Sequence, residues 1–212
     1  MNEAGVDEAG RGPVIGPLVI ACVVLDSSGT SFLRNYVKDS KALTPRARSR
    51  VLRLIEAVAE EIKLKVLQPC EIDWAVENLH RGLNELEASA TAELIDSLES
   101  RVGTVYVDSP DPLPSRYAEM IESRLRRRST VVVVAANHAE KLYPHVAAAS
   151  IAAKVARDGI IEELKREYGD FGSGYPSDPK TRSFIERFLR EESEPPPIVR
   201  RSWGTLERLK RG

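Results

Sequence analysis

Asp7 and Glu8 stand side by side directly after a short apolar stretch, Gly5-Val6, and Asp108 closes a second one, residues 102–107. Adjacent carboxylates beside a core are costly, because like charges raise each other's pKa and burial adds desolvation. A divalent cation relieves both costs. If the two stretches are parallel neighbouring strands, about 4.8 Å apart, their terminal carboxylates can share one ion. Alternatively they bracket two ions about 3.5–4 Å apart. Open α/β sheets place their sites at the carboxyl ends of strands. A single strand-end Asp is more often a turn former; two coinciding strand ends, one carrying Asp-Glu, give metal chemistry equal weight.

The turn after Glu8 contains Gly10, Arg11 and Gly12, then Gly16. This spacing is one residue off the dinucleotide fingerprint, and a carboxylate pair is a poor neighbour for a pyrophosphate. The turn reads either as glycines that bend the chain or as a loop whose amides approach a substrate closely, with Arg11 adding a charge-assisted contact to a phosphate or sugar oxygen. Tyr175, between Gly174 and Pro176, either offers a ring to a base or sugar or packs its loop down. No P-loop, His-Glu-x-x-His or nucleophile elbow occurs, and His80, His138 and His145 form no ligand cluster. Basic residues group at 38–41, 124–128 and 200–211, each alone the pattern of a solvated face.

The elements that must position these residues alternate. Residues 17–25 form an apolar run of strand length. Thr44-Pro45 should open a helix to about residue 61, through an N-cap and a proline at the first helical position. Residues 63–67 alternate as a strand with one wet face, and 84–100 read as a helix. Residues 102–108 are a strand, 115–127 a helix and 130–136 a buried strand. A long helix spans 144–168, its small residues marking close packing on the sheet. This is an α/β chain with helices on both faces of a mixed sheet. From Gly169 the texture becomes loop, then a helix over 180–190, Pro195-Pro-Pro and a basic amphipathic end. That end carries too few apolar residues for its own core, so residues 1–178 form the main domain and 179–212 an extension on it.

The 212 residues allow one sizeable core. Lys+Arg total 31 against 32 Asp+Glu, a balance that excludes a polybasic tail protein but not a local nucleic-acid patch. Cys22 and Cys70 lack metal-type spacing, which argues against a disulfide framework or zinc ribbon. An acidic N-terminus and the lack of a long apolar run imply a cytoplasmic protein without a membrane segment. Gln68 is the only Gln, Cys and Met are scarce and charge is abundant, a pattern of heat-adapted chains. The Arg excess over Lys has a second explanation in genome base composition.

Together these pieces resemble the ribonuclease HII family, type 2 ribonuclease H, in its archaeal form. The matching residues are Gly5-Val-Asp-Glu-Ala-Gly-Arg-Gly-Pro-Val-Ile-Gly-Pro17, Lys38-Asp-Ser-Lys-Ala-Leu43 and Tyr106-Val-Asp108. The match continues through Tyr143 to Asp158 and Tyr168 to Pro179, in family order. The resemblance implies the ribonuclease H fold: a five-stranded mixed sheet flanked by helices, with a C-terminal helical extension. It also implies an endonuclease that cleaves the RNA strand of RNA–DNA hybrids and cuts 5′ to ribonucleotides embedded in duplex DNA, leaving 3′-OH and 5′-phosphate ends. Ribonucleotide excision repair and DNA replication are the processes such an enzyme serves.

By matching position, Asp7, Glu8 and Asp108 are three of the family's four metal-site carboxylates. The fourth is usually an Asp; here Glu140 holds its place, with one more methylene. Two-ion hydrolysis with Mg²⁺ or Mn²⁺ is the implied mechanism. Gly10, Arg11, Gly12 and Tyr175 match the residues that read the 2′-OH and the next deoxynucleotide. Lys41, Ser150, Lys154 and Arg157 are candidate phosphate contacts, and the basic C-terminal segment would hold the duplex backbone. A monomer is expected, and the C-terminus lacks the Gln-plus-aromatics pattern of a sliding-clamp motif. Two other readings stay open: a structure-selective DNA nuclease or strand-transfer enzyme on the same fold, and a non-catalytic hybrid-binding module.

Overall fold

The computed structural model describes residues 2–37, 43–126, 130–191 and 194–211. Lys41 and most of the 38–43 motif lie outside them, as do Arg127 and Arg128. Five strands, Asn2–Ala9 (β1), Leu18–Leu25 (β2), Glu61–Leu67 (β3), Val102–Asp108 (β4) and Val132–Ala136 (β5), form one mixed sheet. Their order is β3-β2-β1-β4-β5. β2 is antiparallel to both β1 and β3, whereas β1, β4 and β5 run parallel. β1 is thus the middle strand, and the expected β1–β4 neighbourhood is present.

The helices are Ser27–Val37 (α1), Pro45–Val58 (α2), Pro69–Asn78 (α3), Leu83–Asp96 (α4), Pro114–Glu122 (α5), Pro144–Tyr168 (α6), Pro179–Glu191 (α7) and Gly204–Arg211 (α8). All eight residues of β2 are buried, and the period of two divides them between two cores. Leu18, Ile20, Cys22 and Val24 face a cluster with Ala88, Ile95, Tyr117 and Ile121 of α4 and α5. Val19, Ala21, Val23 and Leu25 face Leu33, Ile55 and the alanines of α6. Each large aliphatic side chain buried this way contributes about 1.5–3 kcal/mol. The small residues let α6 lie close: a Cβ on Gly5 would strike the His145–Val146 peptide.

A third cluster joins Val14 and Ile15 to Ile161, Phe171, Phe184, Ile185, Ile198, Val199 and Leu206. The C-terminal segment therefore shares its apolar core with the loop between β1 and β2. An isolated bridge between Ile15 and Val199 reinforces the join.

Several boundaries differ from the sequence reading. The helix expected to reach residue 61 stops at Val58, because Ala59 turns extended and the Glu60 amide donates to the Val24 carbonyl, drawing the chain into β3. The strand expected over 130–136 begins at Val132 and is an edge strand with Val132 exposed. Four consecutive valines give no alternation from which to read a wet face. Helices α1 and α3 were not anticipated. Among the described residues no helix is long and apolar enough to cross a membrane.

Candidate active site

The register pairs Val6 of β1 with Val107 of β4, and both valines face the α4/α5 core. The next residues, Asp7 and Asp108, thus turn to the α6 side at the carboxyl ends of adjacent parallel strands. Asp7 is buried and accepts a hydrogen bond from Ser150 on α6. Lys154 Nζ donates to Ser150 Oγ at 2.5 Å. Burial pushes the Asp7 carboxyl up to about 7; the Ser150 hydrogen bond and Lys154 charge oppose the rise, and Asp108 adds to it. Ser150 is fully buried, so the hydroxyl expected to touch phosphate instead supports Asp7.

Glu8 points to the other side of the strand, towards α4. Burial holds its carboxyl well above the usual range, reinforced by the charges of Glu87, Asp7 and Asp108 and opposed by Arg11. Glu87 of α4 is itself buried, and burial pushes its carboxyl up to about 7 against the pull of Arg11. The Arg11 guanidinium pairs with Glu87, and its Nη2 donates to Asn84 Oδ1 at 2.5 Å. The side chain expected to reach a phosphate or sugar is therefore engaged on α4.

Asp108 Oδ1 accepts the Ala139 amide at 2.7 Å. Ala139–Lys141 is a single 3-10 turn after His138, whose φ of 57° is left-handed. This turn carries Glu140, buried, at the end of β5. All four matched acids thus lie at or just beyond the carboxyl ends of the three parallel strands, β1, β4 and the edge strand β5. Among the described residues, however, no three His, Cys, Asp or Glu side chains are grouped as a ready cage for an ion. Strand alternation sends Glu8 away from Asp7, which the sequence spacing alone did not reveal.

Beside these acids the loop over residues 10–17 borders an open cleft of about 740 Å³, lined among others by Glu8, Gly10, Gly12, Lys154, Arg157 and Tyr175. A Cβ on Gly12 would lie 3.3 Å from the Tyr175 ring, so loop and ring are in contact. The Val14 amide donates to the Gly174 carbonyl at 2.8 Å, which fixes the Tyr175 loop against the first. Gly10 has φ of +98°, and a Cβ there would meet the Arg157 side chain. Arg157 is mostly buried, its Nε donating to the Pro17 carbonyl at 3.2 Å and its Nη2 to the Ile15 carbonyl at 3.3 Å. It thus supports the loop at the cleft's edge.

The comparisons with known proteins agree with this arrangement. The Ribonuclease HII family model matches residues 4–206. The chain belongs to the ribonuclease HII family. A Ribonuclease HII of Thermofilum pendens is 49% identical over 211 residues, covering 98% of each chain. The crystal structure of the ribonuclease H2 from Pyrococcus horikoshii superposes with a TM-score of 0.91 at 44% identity, covering 100% of this chain and 98% of that one. The ribonuclease HII in a complex with PCNA from Archaeoglobus fulgidus gives a TM-score of 0.86 at 38% identity, covering 98% and 96%. The sheet and helices are accordingly the ribonuclease H-like fold, and the protein is an endoribonuclease of the hydrolase class.

Two residues of this ribonuclease HII site had no distinctive sequence signal. Glu87 sits in a helix with Glu85 and Glu93, an ordinary acidic pattern. Arg200 lies in a basic segment expected to grip a duplex, yet it is fully buried. Its Nε, Nη1 and Nη2 donate to the carbonyls of Gly16, Arg11 and Gly10 at 3.0, 3.1 and 2.6 Å. Its guanidinium is turned inward onto the loop and does not face a phosphate backbone. An arginine ringed by backbone acceptors cannot be told from a solvated one by composition.

Proposed function

We propose that this chain cleaves the RNA strand of RNA–DNA hybrids and cuts duplex DNA on the 5′ side of an embedded ribonucleotide, leaving 3′-OH and 5′-phosphate ends. The observation that carries this reading is the juxtaposition of two features. Asp7, near the carboxyl end of β1, and Asp108, the last residue of β4, lie on adjacent parallel strands, and beside them the Gly10-Arg11-Gly12 loop and Tyr175 pack against each other at one cleft. Acids alone would serve any metal-dependent nuclease. A backbone loop packed against an aromatic ring adds a place where a sugar's 2′-OH is read.

Asp7 and Asp108, on one side of the sheet, would hold Mg²⁺ or Mn²⁺, and Glu8 at the border of the cleft and Glu140 on its turn offer further carboxylates. The donors are all oxygen, as these hard ions require. The raised carboxyls of Asp7 and Glu8 also mark a place where a cation is wanted. A bound ion supplies positive charge that offsets the acids and the charge developing on the phosphate. Ser150 and Lys154 orient Asp7, and Asp108 holds the turn bearing Glu140. Lys154, at the cleft, meets the nucleic-acid backbone. Residues 1–178 carry the chemistry, and exposed basic side chains of the extension 179–212, among them Lys180, Arg182 and Arg201, add a salt-sensitive grip.

End-group mapping tests the reaction directly. A 5′-labelled hybrid cut by this chain should yield fragments that a DNA polymerase extends from a free 3′-OH. Products ending in a 2′,3′-cyclic phosphate would mean attack by the neighbouring 2′-OH and would overturn the proposal.

A further inference from the structure

Arg200 comes from the C-terminal segment, over 180 positions away in sequence from the loop it holds. Its backbone amide donates to the Val14 carbonyl at 2.8 Å, and the Gly16 amide donates to the Ile198 carbonyl at 2.8 Å. The Trp203 ring lies 4.9 Å from its guanidinium carbon, and the indole Nε1 donates to the Gly12 carbonyl at 3.3 Å. Asp73 of α3 anchors the same segment by accepting the Arg201 and Ser202 amides at 2.8 and 2.9 Å. A strap over residues 198–203 therefore runs along the loop, with Arg200 at its centre.

The consequence follows from peptide geometry. All peptide bonds among the described residues are trans, so each carbonyl points opposite to the next residue's N–H. With the Gly10 and Arg11 carbonyls on Arg200, the Arg11 and Gly12 amides are turned away from the strap. A planar guanidinium fork suits this task, since it offers several fixed donors where an ammonium has one centre.

We propose that Arg200 is a positioning residue of the reaction: it orients the Gly10–Gly12 backbone so that the Arg11 and Gly12 amides are presented to the substrate's sugar. This rests on the proposed reading of the cleft. In it, the C-terminal segment serves selectivity by shaping the loop rather than through its charge.

Arg200→Lys and Arg200→Gln test it, with folded fraction, kcat and KM measured on a duplex containing one ribonucleotide. Hydrogen exchange of the peptide over residues 9–17 is followed in parallel. Arg200→Lys should stay folded and bind duplex with KM within about threefold of the parent, while kcat falls by about tenfold to a hundredfold, as for a misplaced reactive geometry. Exchange over 9–17 should rise in both variants, with peptides from β2 and α4 unchanged. A kcat at the parent level, or one falling only in step with the folded fraction, would overturn the proposal. Unchanged exchange over 9–17 would do so independently of catalysis. If the parent chain itself fails to cut, the functional reading falls, while the exchange result still decides whether Arg200 holds the loop.

Discussion

The Asp108 carboxylate accepts the Ala139 amide at 2.7 Å, tying the end of β4 to the turn that carries Glu140. One oxygen of a strand-end acid thus spans the gap between two of the family's acidic positions. The adjacent amide of Ser109 donates to the Ala136 carbonyl at 2.9 Å, so the ends of β4 and β5 are held in step.

Asp108→Asn should therefore separate structure from chemistry. An Asn oxygen still accepts the Ala139 amide, so the turn persists, but the negative charge is lost. Turnover should drop by at least about a hundredfold, the scale on which metal-site partners act. Duplex affinity, followed by fluorescence anisotropy, should stay within about threefold, since phosphate contacts dominate affinity. Substantial retained activity would remove Asp108 from the site.

Glu140 is judged by two substitutions. Glu140→Asp keeps the charge on a side chain one methylene shorter and should retain most activity. Glu140→Ala should lower the rate by about tenfold or more and raise the metal concentration required. Metal titrations of cleavage check both. If neither variant changes rate or metal dependence, position 140 is no ligand.

The acids also set a pH dependence. Asp7 is raised from 3.8 to about 7, so without metal the folded chain holds a proton there that the unfolded chain has released. Between about pH 4 and 7 the native state binds more protons, and unfolding free energy should fall as pH rises through that window. Metal must displace the proton, so apparent Mn²⁺ affinity should weaken by up to about tenfold per unit as pH falls below 7. Calorimetric melting with and without Mn²⁺, and Mn²⁺ titrations at several pH values, measure the two signs.

Gly12→Ala isolates the contact between the loop and the ring. Gly12 has no left-handed φ, so Ala adds no backbone strain, and its Cβ would press on Tyr175 at 3.3 Å. Tyr175 is 46% exposed and can yield, so stability should change by less than about 0.5 kcal/mol. Cleavage of a ribonucleotide-containing duplex should nevertheless fall by about tenfold, because the methyl fills the reading face. Denaturant unfolding beside single-turnover rates gives the comparison.

Legibility in the sequence followed the physics of each element. Strand 102–108 and helix 144–168 have the bounds their residues suggest, since apolar alternation, a terminal acid and an N-terminal proline punctuate them. Ser27–Val37 is rich in Ser, Thr and Gly and owes its helix to burying Leu33 and Val37 against the sheet, a tertiary effect that propensity does not report. In the site, Asp7 and Asp108 stood out because acids at the ends of apolar strands need a reason. Glu87, Arg200 and the support of Asp7 by Ser150 did not. Their roles depend on which distant segment packs over them, and only the folded chain shows that.

The most direct measurement compares two duplexes that differ by one 2′-OH. With Mg²⁺ or Mn²⁺, this chain should cut the duplex carrying a single ribonucleotide on its 5′ side and leave the all-DNA duplex intact. Equal cutting of both, or binding of both without any cleavage, would contradict a site built to read the sugar.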